Sequence, residues 1–169
     1  MTSPGQLVPA LAPPARLELQ EVGPAAAPLL RSTYVRIGEP YGWTGRSAWS
    51  DAQWEEELSR PGIRAWIARV DENVVGLVEL ESESNGEVGI VVFGLVPEFV
   101  GRGFGGALLT LATRLAWDLP GGGAPTRRVL VQTSSGDHPN AIRNYERRGF
   151  RVVRAGRVRG RPADDEPHA

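Results

Sequence analysis

Four glycines stand in the stretch Val100-Gly101-Arg102-Gly103-Phe104-Gly105-Gly106-Ala107, just after an apolar run that breaks at Pro97. Glycine tolerates positive φ and lets a ligand approach the backbone closely. Leu108, Leu111, Ala112 and Leu115 follow at helical spacing, so the turn opens a helix whose first N–H groups have no intrahelical partner and whose dipole is positive at that end. A phosphate or pyrophosphate suits such a turn. Taken alone, the turn serves equally as a plain strand-to-helix connection.

Other chemistries are excluded by residue type. The chain has no cysteine, which removes disulfides, thiolate metal sites and a cysteine acyl-enzyme. All 19 basic residues are arginine, so neither a lysine Schiff base nor a P-loop lysine is available. Two histidines, His138 and His168, do not make a zinc cluster, and no metal is expected. The formal net charge is −1, which argues against nucleic acid as a partner. The charge is unevenly spread. Residues 100–161 carry a net +9 and the residues before Val100 a net −7, which reads either as solvated arginines or as a basic half for an anionic cofactor facing an acidic half for a cationic acceptor.

At 169 residues, with 41% apolar and 23% charged residues, the chain suits one globular domain with a sizeable core. No apolar run approaches membrane-spanning length, and prolines interrupt an N-terminus that lacks a basic segment, so no membrane partner and a cytoplasmic location are expected. Residues 1–15, rich in Pro and Ala, read as a flexible arm, 16–158 as the domain and 159–169 as a flexible tail.

The elements that position the glycine turn follow from periodicity. Residues 16–22 alternate as a strand, 25–36 have helical spacing, and Ser50 or Asp51 caps a second helix through Arg60. Strands are expected over 63–70, 74–83 and 87–96, the last two joined by Asn85-Gly86, a two-residue hairpin signal. After the helix from Phe104 comes a buried strand over 128–133, parallel to the one before the helix because a strand–helix–strand crossover is right-handed. A helix over 139–148 ends at Gly149, and a last strand covers 150–158. The fold class is α/β: a mixed, mostly antiparallel central sheet with helices on both faces and one parallel pair.

This order and two motifs resemble the GNAT superfamily of acetyl-CoA-dependent N-acetyltransferases, over roughly residues 16–158. The stretch 101–105 resembles the family's (Gln/Arg)-x-x-Gly-x-(Gly/Ala) pyrophosphate loop, and Ala141-Ile142-Arg143-Asn144-Tyr145-Glu146-Arg147-Arg148-Gly149-Phe150 its A-x-x-x-Y-x-x-x-G-F helix. The resemblance implies that acetyl-CoA lies in a splay between the parallel strands. Its pantetheine would then bond the backbone near Leu95 and Val96, and its pyrophosphate the N–H groups from Val100 and Gly101 through Gly103, Phe104, Gly105, Gly106 and Ala107, with Arg102 adding charge. Arg127, Arg128 and Arg148 are candidates for the adenosine phosphate. His138 and Asn140 join the cofactor set, although a helix-start role for His138 fits as well. Tyr145 is implied as the acid that protonates the leaving thiolate after an amine attacks the thioester directly.

Two positions depart from the family pattern. Val100 stands where the loop usually begins with Gln or Arg. Gly89 occupies the strand position where several members place a glutamate base. Glu87, two residues away on the same face, and Glu79 or Glu81 on the partner strand are the substitutes. With a two-residue turn, Glu81 would pair with Ile90 and Glu79 with Val92, opposite Gly89, unless a bulge in the later strand changes the register. Tyr41, Trp43 and Trp49 lie in the connection that the resemblance places over the acceptor, where aromatic faces suit a cation. The function implied is acetyl transfer to a primary amine, a small molecule in the favoured reading, in a ternary complex. A protein or peptide acetyltransferase and a non-catalytic acyl-CoA-binding domain are the alternatives, and a homodimer is one assembly the resemblance allows.

Overall fold

The computed structural model describes residues 1–119, 125–134 and 136–153. Five strands form one sheet in the order β1(Glu18–Val22), β2(Ile63–Val70), β3(Asn73–Ser82), β4(Glu87–Leu95), β5(Arg128–Val131). Neighbours are antiparallel except β4 and β5, which run parallel, as a right-handed crossover through a helix requires. The helices α1(Ala27–Gly38) and α2(Asp51–Leu58) cover one face, and α3(Phe104–Asp118) and α4(Ala141–Arg147) the other. No helix among the described residues is long and apolar enough to cross a membrane.

Each layer has its own core. Leu30, Tyr34 and Ile37 recur along α1 and pack with Trp54, Ile67, Leu77 and Val92. On the other face Leu108, Leu109 and Ala112 of α3 bury against Leu80, Ile90 and Val129. A fully buried leucine contributes roughly 1.5–3 kcal/mol, so these stripes hold both helix layers to the sheet. Ser50 closes α2 with a capping box to Gln53, both reciprocal hydrogen bonds being present.

The β3–β4 hairpin differs from the two-residue turn expected at Asn85-Gly86. The Glu83 N–H donates to the Glu87 carbonyl at 2.8 Å and Gly86 takes φ 83°, so three residues form the loop and Glu81 faces Gly89 instead of Ile90. A register shift between Glu79 and Leu80 then inserts one extra residue into β4, and Glu79 pairs with Val92 as anticipated. The bulge has a visible consequence. Val88 and Ile90 point to the α3 and α4 layer, whereas Val92 points to the α1 and α2 layer.

Residues 1–15 are laid against the domain. The Met1 ammonium donates to the Val129 carbonyl at 2.8 Å and the Met1 carbonyl accepts the Val129 N–H at 2.9 Å, so Met1 occupies backbone groups on the outer side of β5. Further along, the Val8 N–H donates to the Arg148 carbonyl at 3.1 Å and the Ala10 N–H to Thr110 Oγ1 at 3.0 Å. The arm that composition reads as flexible makes these contacts because an edge strand, the C-terminal end of α4 and the Thr110 hydroxyl midway along α3 offer it hydrogen-bonding partners. Phe150 is buried, but the described part of the expected last strand, residues 150–153, has no regular structure; residues 154–158 and the tail 159–169 lie outside the described residues.

Candidate active site

β4 and β5 pair only from Glu87 to Ile90 and from Arg128 to Val131. Beyond those residues they separate, and a cavity of about 410 Å³ opens between them. Its throat is lined by Val91, Phe93 and Leu95 on one side and by Gln132, Thr133 and Tyr145 on the other. One end reaches the glycine turn and the other the Tyr41–Arg46 connection.

At the first end, Val100, Gly101, Gly103, Gly105 and Gly106 line the cavity. Gly101 and Gly103 hold φ of 77° and 87°, a region that other residues enter at a cost of roughly 1–2 kcal/mol. Gly103 is the N-cap of α3 and no side chain caps that end, leaving its first-turn N–H groups for a ligand. Phe104 and Ala107 turn their side chains into the core, so only their backbone belongs to the turn. Leu95 lines the cavity, while Val96 is buried on the sheet's other layer with its N–H given to Val75.

Arg102, expected to face the phosphates, lies outside the cavity lining. Its guanidinium sits 5.1 Å above the Phe99 ring and donates to the Glu98 carbonyl at 3.2 Å. Of the other arginines, Arg128 is held by Glu87 at 3.0 Å and Arg127 lies beside Gly86. Arg148 instead reaches α3: its Nη1 is 2.8 Å from where a Cβ on Gly106 would stand. Its Nε is buried without a hydrogen-bond partner, and no carboxylate pairs with it among the described residues. A cation without a counter-charge at the positive end of a helix is unfavourable until an anion arrives. These residues therefore fit a coenzyme carrying phosphates: αL glycines, uncapped N–H groups, a close backbone approach at Gly106 and an orphaned arginine nitrogen beside it.

Tyr145 is buried in the throat, edge-on to Phe93 and Phe150 at 6.1 and 6.5 Å. Burial, and secondarily the charge of Asp137, raise its pKa, so the phenol stays protonated at neutral pH. Asn144 on the same helix donates from Nδ2 to the Gly105 carbonyl at 3.3 Å and ties α4 to the glycine turn. His138 and Asn140 also line the cavity. His138 Nδ1 accepts from the Asn140 N–H at 3.0 Å, and its ring meets Tyr41 edge-on at 5.8 Å.

The acceptor end brings together Tyr34, Tyr41, Trp43, Arg46, Glu81 and Asp137. Trp49 is not on the wall: it packs under Arg46, 4.9 Å from the guanidinium carbon. The carboxylates differ sharply. Glu79 is fully buried and held by Arg46 through two contacts of 2.8 and 2.9 Å. Burial outweighs the pull of Arg46 and lifts its pKa. Arg46 also reaches Glu57 at 3.2 Å, and Arg60 links Glu57 to Glu81 at 2.7 Å on each side. Glu87 stands at the opposite end of β4, paired with Arg128. Neither Glu79 nor Glu87 faces the cavity, and Glu81, directly across from Gly89, does.

A family model described as the acetyltransferase (GNAT) family matches residues 29–150. The chain belongs to the GNAT family. Its fold is shared with an acetyltransferase from Thermus thermophilus (22% identity over 86% of this chain and 93% of that one, TM-score 0.65). It is shared also with an aminoglycoside acetyltransferase from an uncultured soil metagenomic sample (14% identity, 83% and 94%, TM-score 0.63). A third is the aminoglycoside N-acetyltransferase AAC(6')-Iy in complex with CoA (18%, 88% and 99%, TM-score 0.56). Among curated proteins none matches by sequence. Family membership makes this an acetyltransferase, and acetyl-CoA is the donor the GNAT family uses. Among the described residues no cluster of His, Cys, Asp or Glu is arranged to hold a metal.

Sequence reasoning missed Arg46, Asp137 and Asn144 as parts of the site. Asn144 had a signal, one position before Tyr145 on the motif helix. Asp137 and Arg46 had none, since their partners lie 94 and 33 positions away.

Proposed function

We propose that the protein transfers an acetyl group from acetyl-CoA to a primary amine of a small molecule, by direct attack in a ternary complex. The observation that carries this reading is the continuity of one cavity from the uncapped N-terminus of α3, past Tyr145, to an aromatic and acidic acceptor end. When bound, acetyl-CoA supplies a thioester whose carbonyl carbon accepts the amine and whose thiolate leaves.

The chain's own groups then divide the work. The glycine turn and Arg148 hold phosphate charge. The β4 backbone past Ile90, freed from β5, offers N–H groups along the throat. Tyr145 donates a proton to the departing sulfur, and its raised pKa keeps that proton in place beforehand. Of the three candidate glutamates Glu81 is the one that faces the cavity, so it takes the amine's proton, directly or through water. Small acceptors are favoured because Trp43 and Asp137 meet across the acceptor end at 3.0 Å, and because two structural neighbours act on aminoglycosides by name.

Two measurements test this. Acetyl-CoA raises the melting temperature, and free thiol appears with small amines but not with peptides. Tyr145→Phe lowers turnover about 10²-fold or more while acetyl-CoA still stabilises the variant; unchanged turnover removes Tyr145 from the acid role. Stabilisation without thiol release from any amine supports a non-catalytic acyl-CoA-binding protein.

A further inference from the structure

Asp137 holds a charge that nothing around it answers. One carboxylate oxygen accepts from Trp43 Nε1 at 3.0 Å. The other accepts from Thr133 Oγ1 at 2.9 Å and the Ser134 N–H at 2.8 Å. All three donors are neutral, and among the described residues no arginine or histidine forms an ion pair with it. Every other carboxylate of the acceptor end has a guanidinium: Glu79 and Glu57 have Arg46, and Glu57 and Glu81 share Arg60. Three donors also fix the orientation of Asp137, so its position does not depend on a ligand. It lines the cavity together with Trp43 and Tyr41.

A solvated surface aspartate needs no counter-charge, but this one is tied into a half-buried bridge between two loops and opens on the cavity. There, a cation gains a charge-assisted hydrogen bond to the carboxylate beside two aromatic rings. A carboxylate on the acceptor would meet Asp137 and Glu81 together and be repelled.

We infer that Asp137 is a specificity-determining residue that selects acceptors carrying a second protonated amino group besides the amine to be acetylated. The inference rests on the acetyl-transfer reading only for which end of the cavity receives the acceptor. Under it, one amino group of a diamine sits by Glu81 and reacts, while the other stays protonated against Asp137. Amino acids and acidic amines are excluded, and monoamines bind weakly. A charge-assisted hydrogen bond of this kind corresponds to roughly 10- to 100-fold in affinity.

The test is titration calorimetry of 1,4-diaminobutane, butylamine and 4-aminobutanoate into the full chain, paired with thiol release from acetyl-CoA for the same three compounds. The diamine binds about 10- to 100-fold more tightly than butylamine, and 4-aminobutanoate does not bind. In Asp137→Asn, which keeps an oxygen for Trp43, the diamine-to-butylamine ratio falls towards one. In Trp43→Phe, which cuts the bridge and leaves the carboxylate, the ratio persists, so a loss through loop loosening is told apart from a loss of charge. Equal binding of diamine and butylamine by the wild type overturns the inference, as does a preference that survives Asp137→Asn. Binding preference without thiol release sinks the acetyl-transfer reading and leaves the role of Asp137 standing; thiol release without preference does the reverse.

Discussion

Glu79 is the group on which the base assignment and the structural assignment part most clearly. It is fully buried and held at 2.8 and 2.9 Å by Arg46, which itself is nearly buried, stacked on Trp49 and Trp54 and shared with Glu57. In this arrangement Glu79 anchors the acceptor loop from below. Removing one partner of a buried ion pair costs about 3–5 kcal/mol, because the other charge is left in the interior. For a chain of this length each kcal/mol moves the melting temperature by roughly 2–4 °C, so Glu79→Ala should melt about 6–20 °C lower. Glu79→Gln keeps the shape and an oxygen for Arg46 but has no basicity. It therefore melts well above the alanine variant and retains turnover close to wild type, whereas loss of a general base costs about 10²–10⁴-fold. The assay is kcat by thiol release alongside a melting curve for both variants. A folded, thermally unchanged Glu79→Gln with turnover down a thousand-fold, on the order of a full base effect, would refute the anchoring role.

The same residue gives a pH dependence. Its folded pKa is raised above the ordinary 4.5 by burial, so as pH climbs through that value the unfolded chain releases the proton while the folded chain retains it. Stability from this group is thus complete below the ordinary value and lost on the way up to the folded one. The melting temperature of Glu79→Gln relative to wild type should therefore rise from about pH 4 upwards, and a falling difference would reverse the sign. Gly103→Ala has room for its methyl group, with only Pro14 Cδ at 3.6 Å, but must hold φ at 87°. It loses about 1–2 kcal/mol and binds acetyl-CoA more weakly, measured by ligand-induced shifts in melting. Ser50→Ala removes the cap of α2 and costs about 0.5–2 kcal/mol, without altering the affinity for acetyl-CoA.

What the chain reveals before folding depends on how far apart the deciding contacts lie. The glycine turn is local: αL glycines, the helix they open and its uncapped N–H groups fall within a few residues, so the geometry proposed to hold phosphate is readable from Gly101 to Ala107. The sheet was readable too, because strand alternation and helix stripes are local periodicities. The acceptor end was not. Which of Glu79, Glu81 and Glu87 faces the cavity turns on one extra loop residue at the hairpin and one extra residue in β4, and each single-residue slip reverses the faces. The two irregularities also act on different parts of the strand: the three-residue loop sets Glu81 against Gly89, and the bulge returns Glu79 to Val92. Arg46 then decides what each carboxylate can do, by neutralising Glu79 from 33 positions away. Trp43 and Asp137 close the site over a separation of 94. Alternation assigns a carboxylate to a face only up to such an irregularity, and availability for chemistry depends further on which cation the fold brings to it. Glu81 differs from Glu79 in that its guanidinium partner, Arg60, is shared with Glu57 and half-exposed, a distinction that exists only once α2 has docked on the sheet.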